Sequence, residues 1–402
     1  MSTNQTKRRL NRFTAFAAAL ALAVPLAGIG PQAPAAGAAA AAAPKAACQN
    51  NGAQLVKKME THPSRKHFEE GPYFDTIQFL SGNIGRVAGN GFMIGTSDGG
   101  CSWQTIYTGE YNFHKLEFVT NSVGYVIGTK PDSPVPILLK TTDGGSTYQP
   151  LKNAPYGTLD IDFSDQKNGF LYTYGLVYRT SDGGTTWTRI PTPANSRGAL
   201  FTDADHGWTV QVRTGGYNIM KTENGGKTWY KTLVVDTKGS NPAGKLYSKD
   251  GKSIYALLYG DSGMSQISYS LYHSAEGGKN WVKLTSISSS GGGPAPGDPT
   301  GTKRYGGPEG FPGNLEISGD AAYLVAGGPA TEKVSFARSL NNGKTWSNLK
   351  ATLPGYEGVI SFPAEKKGFA IVAGSSSIPA VYSTEDGGLT WNKKLSFPAP
   401  IQ

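Results

Sequence analysis

Three carboxylates, Asp75, Asp160 and Glu357, stand just before or within short alternating runs that read as strands, in company with His114, Lys115 and Arg197. Two carboxyl groups facing each other across one cleft are what glycoside hydrolysis needs, one to protonate the leaving oxygen and one to act as base or nucleophile. Asp75 and Asp160 are the pair this pattern offers for that work. The polar lining of a water-filled channel is the reading favoured for the same residues. Aromatic residues at matching positions, Phe74, Phe113, Tyr156, Phe311 and Tyr356, supply flat apolar surface for stacking on a sugar ring or anchoring a protein.

Other chemistries find less support. The stretches "GGKT" at 225–228 and "NGKT" at 342–345 resemble the end of a phosphate-binding loop, but the glycine needed five residues earlier is Lys221 in one and Arg338 in the other. The five histidines, His62, His67, His114, His206 and His273, have no zinc-ligand spacing. Asp203 and Asp205 lie in a short turn without an EF-hand loop. No metal and no cofactor is therefore expected. Neither a Gly-x-Ser-x-Gly phrase nor a Cys–His arrangement marks a nucleophile.

The elements that must position these residues are short strands. Of 402 residues 54 are Gly and 20 are Tyr, while charged residues make up 17%, a balance that favours tight turns and strands over helices. Residues 1–47 are set aside as an export signal and Ala/Pro-rich leader, because Lys7, Arg8, Arg9 and Arg12 precede the apolar run "FTAFAAALALAVPLAGIG". Pro25 and two glycines within that run favour cleavage over a retained membrane anchor. Removing the leader's five positive charges lowers the formal +9 to +4, a mild balance that does not argue for nucleic acid, which wants a concentrated basic stripe. It leaves a slight preference for acidic cell-surface polymers.

The two cysteines, Cys48 and Cys101, read as a disulfide in an exported protein, with two free thiols as the alternative. Such a bond tethers the segment 48–72 to the strands that begin at about residue 73. Within that segment residues 53–59, "AQLVKKM", either pair with the edge of the last sheet as a latch or pack beside it. Lipidation of Cys48 is disfavoured, because Lys45 occupies the position where an apolar residue is required.

One phrase recurs seven times: "TSDGGCSW" (96–103), "TTDGGSTY" (141–148), "TSDGGTTW" (180–187), "TENGGKTW" (222–229), "SAEGGKNW" (274–281), "SLNNGKTW" (339–346) and "TEDGGLTW" (384–391). Its third positions are Asp98, Asp143, Asp182, Asn224, Glu276, Asn341 and Asp386. The intervals of 45, 39, 42, 52, 65 and 45 residues are close to the period of a four-stranded propeller blade. The glycines permit the positive φ of a tight turn, the carboxylate or amide accepts from the turn's own N–H groups, and the final ring buries against a neighbour. Before each phrase runs a strand such as "GLVYRT" or "AVYST", and after it another such as "TWTRI". The expectation is an all-β, seven-bladed propeller over 73–397, with the phrase between the third and fourth strand of each blade.

The phrase resembles the Asp-box, or BNR repeat, of sialidases, sortilin-type receptors, some glycoside hydrolases and photosystem II stability/assembly factor-like proteins. Pairing of "F-x-D-x-x-x-G-W" (Phe201 to Trp208) with "T-x-N-G-G-x-T-W" (Thr222 to Trp229) is most similar to the assembly-factor group. The resemblance implies boxes at the outer edge of the propeller, far from its channel, and so says nothing about ligands. Sialidase activity is not implied, since the F-R-I-P phrase that carries that family's first arginine is absent.

The long interval comes from 286–313, "SISSSGGGPAPGDPTGTKRYGGPEGFPG", read as an inserted loop that neither pairs regularly nor buries a core. Its Lys303, Arg304, Tyr305 and Phe311 could contact a partner. The sequence thus points to an exported monomer acting as a non-catalytic platform for a protein or cell-surface glycan. The alternative is a carbohydrate-active enzyme or sugar-binding module.

Overall fold

The computed structural model describes Cys48 and residues 50–63, 72–238, 243–289, 291–298, 300, 306–373 and 378–398. The leader, and Lys303, Arg304 and Tyr305, lie outside the described residues. Among the described residues the strands form six sheets. The first has six strands: Phe74–Phe79, Gly85–Thr96, Gln104–Phe118, Gly124–Lys130, Ser133–Thr141 and Gln149–Pro150. Five four-stranded sheets come after it, beginning with the inner strands Asp160–Phe163, Ser196–Phe201, Ala243–Tyr247, Phe311–Ser318 and Glu357–Ser361. All pairings are antiparallel, each sheet packs on the next, and the sixth packs on the first, so the chain is an all-β propeller.

The count corrects the expected seven blades. Gln104–Phe118 is one strand of 15 residues, pairing with Gly85–Thr96 through Gln104–Thr108 and Asn112, with Gly109, Glu110 and Tyr111 bulged out of that ladder, and with Gly124–Lys130 through Asn112–Phe118. One continuous strand therefore joins what the repeats would divide, and the first sheet carries two of the seven turns, at 96–103 and 141–148. Other junctions are broken by stretches such as "PTPAN", which cannot continue a ladder.

In each four-stranded sheet the repeated turn joins the third strand to the fourth. At 180–187, Thr180 Oγ1 donates to Asp182 Oδ1 (2.8 Å), while Thr186 donates its N–H to Oδ1 (2.9 Å) and its hydroxyl to Oδ2 (2.6 Å). Gly183 and Gly184 take φ of 73° and 85°, the left-handed region that a side chain disfavours. Asn224 serves the same purpose with its amide oxygen accepting from Thr228 N–H and its Nδ2 donating to the Thr228 hydroxyl. The Thr186 hydroxyl and the other donors hold the Asp182 carboxyl at about 2. An acid depressed on folding contributes stability above its unfolded value near 4, lost as pH falls through 2. Asp182→Asn is expected to flatten the loss of thermal midpoint between pH 4 and 2, measured by calorimetry.

The Phe and Gly six residues apart in Phe201 to Trp208 recur as Phe163 with Gly169 and Phe362 with Gly368, and their spacing has a packing origin. Phe163 stacks on Tyr125 of the preceding sheet (centroids 3.5 Å, 5° between planes), and Phe362 stacks on Tyr323 (3.6 Å, 5°). The glycine six residues later lies beneath the ring: a Cβ on Gly169 would sit 2.4 Å from Phe163, and one on Gly368 2.3 Å from Phe362. Gly169→Ala overpacks this junction and is expected to cost about 1–3 kcal/mol, readable in denaturant titration. Donors from one sheet also cap the next turn: Lys140 Nζ reaches Gly183 O (3.1 Å), Trp208 Nε1 reaches Gly277 O (3.2 Å) and Arg338 reaches Asp386 O (2.9 Å).

The segment before the ring is an α-helix, Gly52–Glu60, not a paired strand. It packs beside the last sheet, with Leu55, Val56 and Met59 buried among Phe74, Phe92, Leu395 and Phe397. Cys48 and Cys101 form a disulfide. Asn51 Nδ2 donates to Trp103 O (2.8 Å) and Asn50 Nδ2 to Ser396 Oγ (2.9 Å), so this segment touches the first and last sheets together. Among the described pairings no strand is exchanged across that junction.

The insertion also departs from expectation. Val282–Ile287 and Phe311–Ser318 are strands, which narrows it to 288–310, and Ala295, Ser289 and Asp298 in it are buried. Strand side chains satisfy its carbonyls: Ser270 Oγ donates to Pro296 O (2.6 Å), Lys283 Nζ to Gly297 O (2.9 Å) and Thr285 Oγ1 to Gly306 O (2.8 Å). A Gly/Pro-rich stretch can thus pack where neighbouring strands supply donors.

Candidate functional site

The inner strands all start at one end of the ring, and alternate residues on them turn away from the buried layer. Lys115 and Glu117, Asp160 and Asp162, Lys245 and Tyr247, and Asn314 and Glu316 form such pairs two residues apart. Lys115 Nζ is bonded to Asp160 Oδ1 and lies 4.0 Å from Glu117 Oε2, while Lys245 Nζ lies 3.8 Å from Asp160 Oδ2. The Lys115 and Asp160 side chains keep 35% and 32% of their surface open although protein surrounds them, as expected for groups reached by water along a channel.

Charge and burial set these carboxyls apart. Burial pushes Glu117 up to about 8, helped by Asp162, Asp160 and Glu316 and opposed by Lys115. Burial also works against the charge of Asp160, but Lys115 and Lys245 outweigh it and hold that carboxyl below its ordinary value. Asp162 and Glu316 are raised, again mainly by burial. A Glu raised on folding keeps a proton that the unfolded chain releases, so its contribution to stability falls as pH rises from about 4.5 to 8. Glu117→Gln is expected to match the native melting temperature near pH 4 and exceed it increasingly up to pH 9.

At the start of the first two inner segments, Asp75 Oδ2 lies 2.7 Å from His114 Nδ1, and His114 Nε2 lies 3.0 Å from Thr129 Oγ1. Asp75 is thus held by His114 and Asp160 by Lys115. Phe74 and Phe113 are buried, Phe74 against Phe397 (4.5 Å) and Phe113 against Tyr148 (5.0 Å), and present no ring to a ligand. Tyr156 is 84% exposed, Phe311 and Glu357 are exposed at their strand starts, and Tyr356 is half-buried. Arg197 lies over the ring of Tyr174 at 4.5 Å. Tyr174, 68% exposed at the tip of the hairpin between Gly169–Tyr172 and Val177–Thr180 in the preceding sheet, is a site residue that sequence reasoning misses, as are Glu117, Lys245 and Thr129. The alternation of Lys115 with Glu117 is a readable signal for Glu117.

Among the described residues no three His, Cys, Asp or Glu side chains converge to hold a metal ion, and no helix is long and apolar enough to cross a membrane.

No family model matches the chain, and no curated protein matches it either. Among solved structures it is similar to the GH74 enzyme of Niastella koreensis, at 14% identity over 80% of this chain and 65% of that one, with a TM-score of 0.41. It is similar to TolB from Acinetobacter baumannii at 15% identity over 67% of this chain and 63% of that one, TM-score 0.42. A nidogen/laminin complex gives 11% identity over 63% of this chain and 89% of that one, TM-score 0.39. The chain spans less than two thirds of the Niastella enzyme and of TolB. At these identities and TM-scores the likenesses assign no activity.

Proposed function

We propose that this protein is an extracytoplasmic binding platform whose ligand face is the one where the inner strands start. The observation that carries this reading is the contrast between channel and rim. In the channel Lys115 engages both Asp160 and Glu117, while at the rim Tyr156 and Tyr174 stand open with Arg197 fixed over the second ring. Flat exposed rings on a stiff frame lose little ordering entropy on binding, and they suit a cell-surface glycan or a protein. The disulfide and the leader support an exported location, with residues 1–47 removed and the remainder a monomer. The turns' hydrogen bonds support an Asp-box origin, one unit having been repeated and its first two copies merged into one sheet.

A second reading, glycoside hydrolysis, is favoured by Glu117 and Asp160. They share one ammonium, and their environments push their carboxyls in opposite directions, as an acid and its partner require. Release of reducing sugar from cell-surface polysaccharides separates the two readings. The platform reading expects none. Turnover that disappears in Glu117→Gln and Asp160→Asn would replace it with the enzyme.

A further inference from the structure

The contact between His114 and its two partners has the order of an acyl-transfer relay, and it lies outside the charged cluster around Lys115. A carboxylate only accepts hydrogen bonds, so the 2.7 Å contact with Asp75 Oδ2 puts the imidazole proton on Nδ1. In the neutral ring Nε2 then carries the lone pair, and at 3.0 Å it accepts from the Thr129 hydroxyl. Hydroxyl, base and orienting carboxylate stand in the sequence that activates a nucleophile.

Two features of the backbone place them there. The strand pairing slips between Phe74 and Thr76 and again between Phe113 and Lys115, leaving Asp75 and His114 as extra residues, each without a partner across its ladder. Bulges of this kind re-aim a side chain. Similar slips at Arg197–Gly198 and Gly313–Asn314 bring no imidazole to a hydroxyl. Asn112 pairs directly with Thr129, so the two side chains share a face, and the Asn112 side-chain oxygen is buried without a hydrogen-bond partner. Rotation of that amide presents an N–H donor beside the Thr129 hydroxyl. His114 and Asp75 keep 39% and 35% of their side-chain surface open, so solvent and a small substrate can reach them.

We infer that Thr129, His114 and Asp75 hydrolyse small carboxylic esters. Thr129 Oγ1 attacks the acyl carbon while its proton passes to His114 Nε2. The bond from acyl carbon to the alcohol oxygen breaks, and the departing alkoxide takes that proton, leaving acyl-threonine. Water then loses a proton to Nε2 and attacks the same carbon. Oγ1 departs, recovers the proton, and the free acid leaves. Asp75 positions the ring throughout, and Asn112 donates to the oxygen that carries charge in each tetrahedral state. This activity is independent of the platform reading, since it uses neither Tyr174 nor the Lys115 cluster.

The test uses the purified protein with 4-nitrophenyl acetate and a fluorophosphonate probe, the labelled residue being located by mass spectrometry. The label is expected on Thr129. His114→Gln and Thr129→Val are expected to lower turnover at least about 100-fold, whereas Thr129→Ser, which keeps a hydroxyl, retains labelling. Asp75→Asn is expected to change the pH profile of turnover as well as its rate, which loss of a merely structural contact would not do. Labelling at another residue, no labelling, or undiminished turnover in folded Thr129→Val overturns the assignment. Should that variant not fold, the position of the label on the native protein decides alone.

Discussion

Replacing Cys48 and Cys101 together by serine is expected to lower the melting temperature by roughly 3–5 °C. The bond closes a separation of 53 residues, and a cross-link of that span removes enough freedom from the unfolded chain to stabilise the fold by about 2–4 kcal/mol. Its position adds to the effect. The junction between last and first sheets has no shared strand among the described pairings and rests on side-chain packing such as Phe79 on Phe369 (3.4 Å). The segment that bridges it is held by Cys48, by Asn50 on Ser396 and by Asn51 on Trp103. Reductant should reproduce the loss in the native protein and have no effect on the double variant. An unchanged melting temperature in both experiments would mean that packing alone closes the ring.

Removing the Lys115 ammonium is the second large effect expected. Lys115→Met leaves Asp160 with Lys245, at 3.8 Å, as its cationic neighbour, and leaves Glu117 and Asp162 facing the Asp160 charge. Breaking a fully buried pair costs about 3–5 kcal/mol. Here about a third of each side chain is open to channel water, so screening reduces the expected loss to about 1–3 kcal/mol. Adding Asp160→Asn to Lys115→Met should recover part of it, because the unpaired charge is then gone. A loss below about 0.5 kcal/mol would place the pair among ordinary surface ion pairs.

The turns are legible in the sequence because each is a local object. Thr180, Asp182 and Thr186 satisfy one another within seven residues, so spacing alone carries the hydrogen bonds. The sheet count is not legible in the same way, since it depends on whether the chain breaks between blades. Between Thr108 and Asn112 the ladder only bulges, at Gly109, Glu110 and Tyr111, and no proline there ends the strand. The helix Gly52–Glu60 leaves a readable sign in Leu55, Val56 and Met59, which fall on one helical face, but all-β composition argues against it. At the site, Asp75, His114 and Asp160 can each be found through the starts of inner strands. Their partners escape a sequence reading because Thr129 reaches His114 across a strand pair and Lys115 reaches Asp160 across a sheet junction, and neither contact has a fixed sequence offset.

The claim that ligands meet the face where inner strands start is tested most directly by retention on an isolated cell-envelope fraction. The native protein would be compared with Tyr156→Ser/Tyr174→Ser and with Leu340→Ser/Leu389→Ser, which alters exposed residues in turns at the opposite strand ends. The expected result is at least about a tenfold loss of affinity in the tyrosine variant and none in the leucine variant. Equal retention of all three, or loss in the leucine variant alone, would contradict the account.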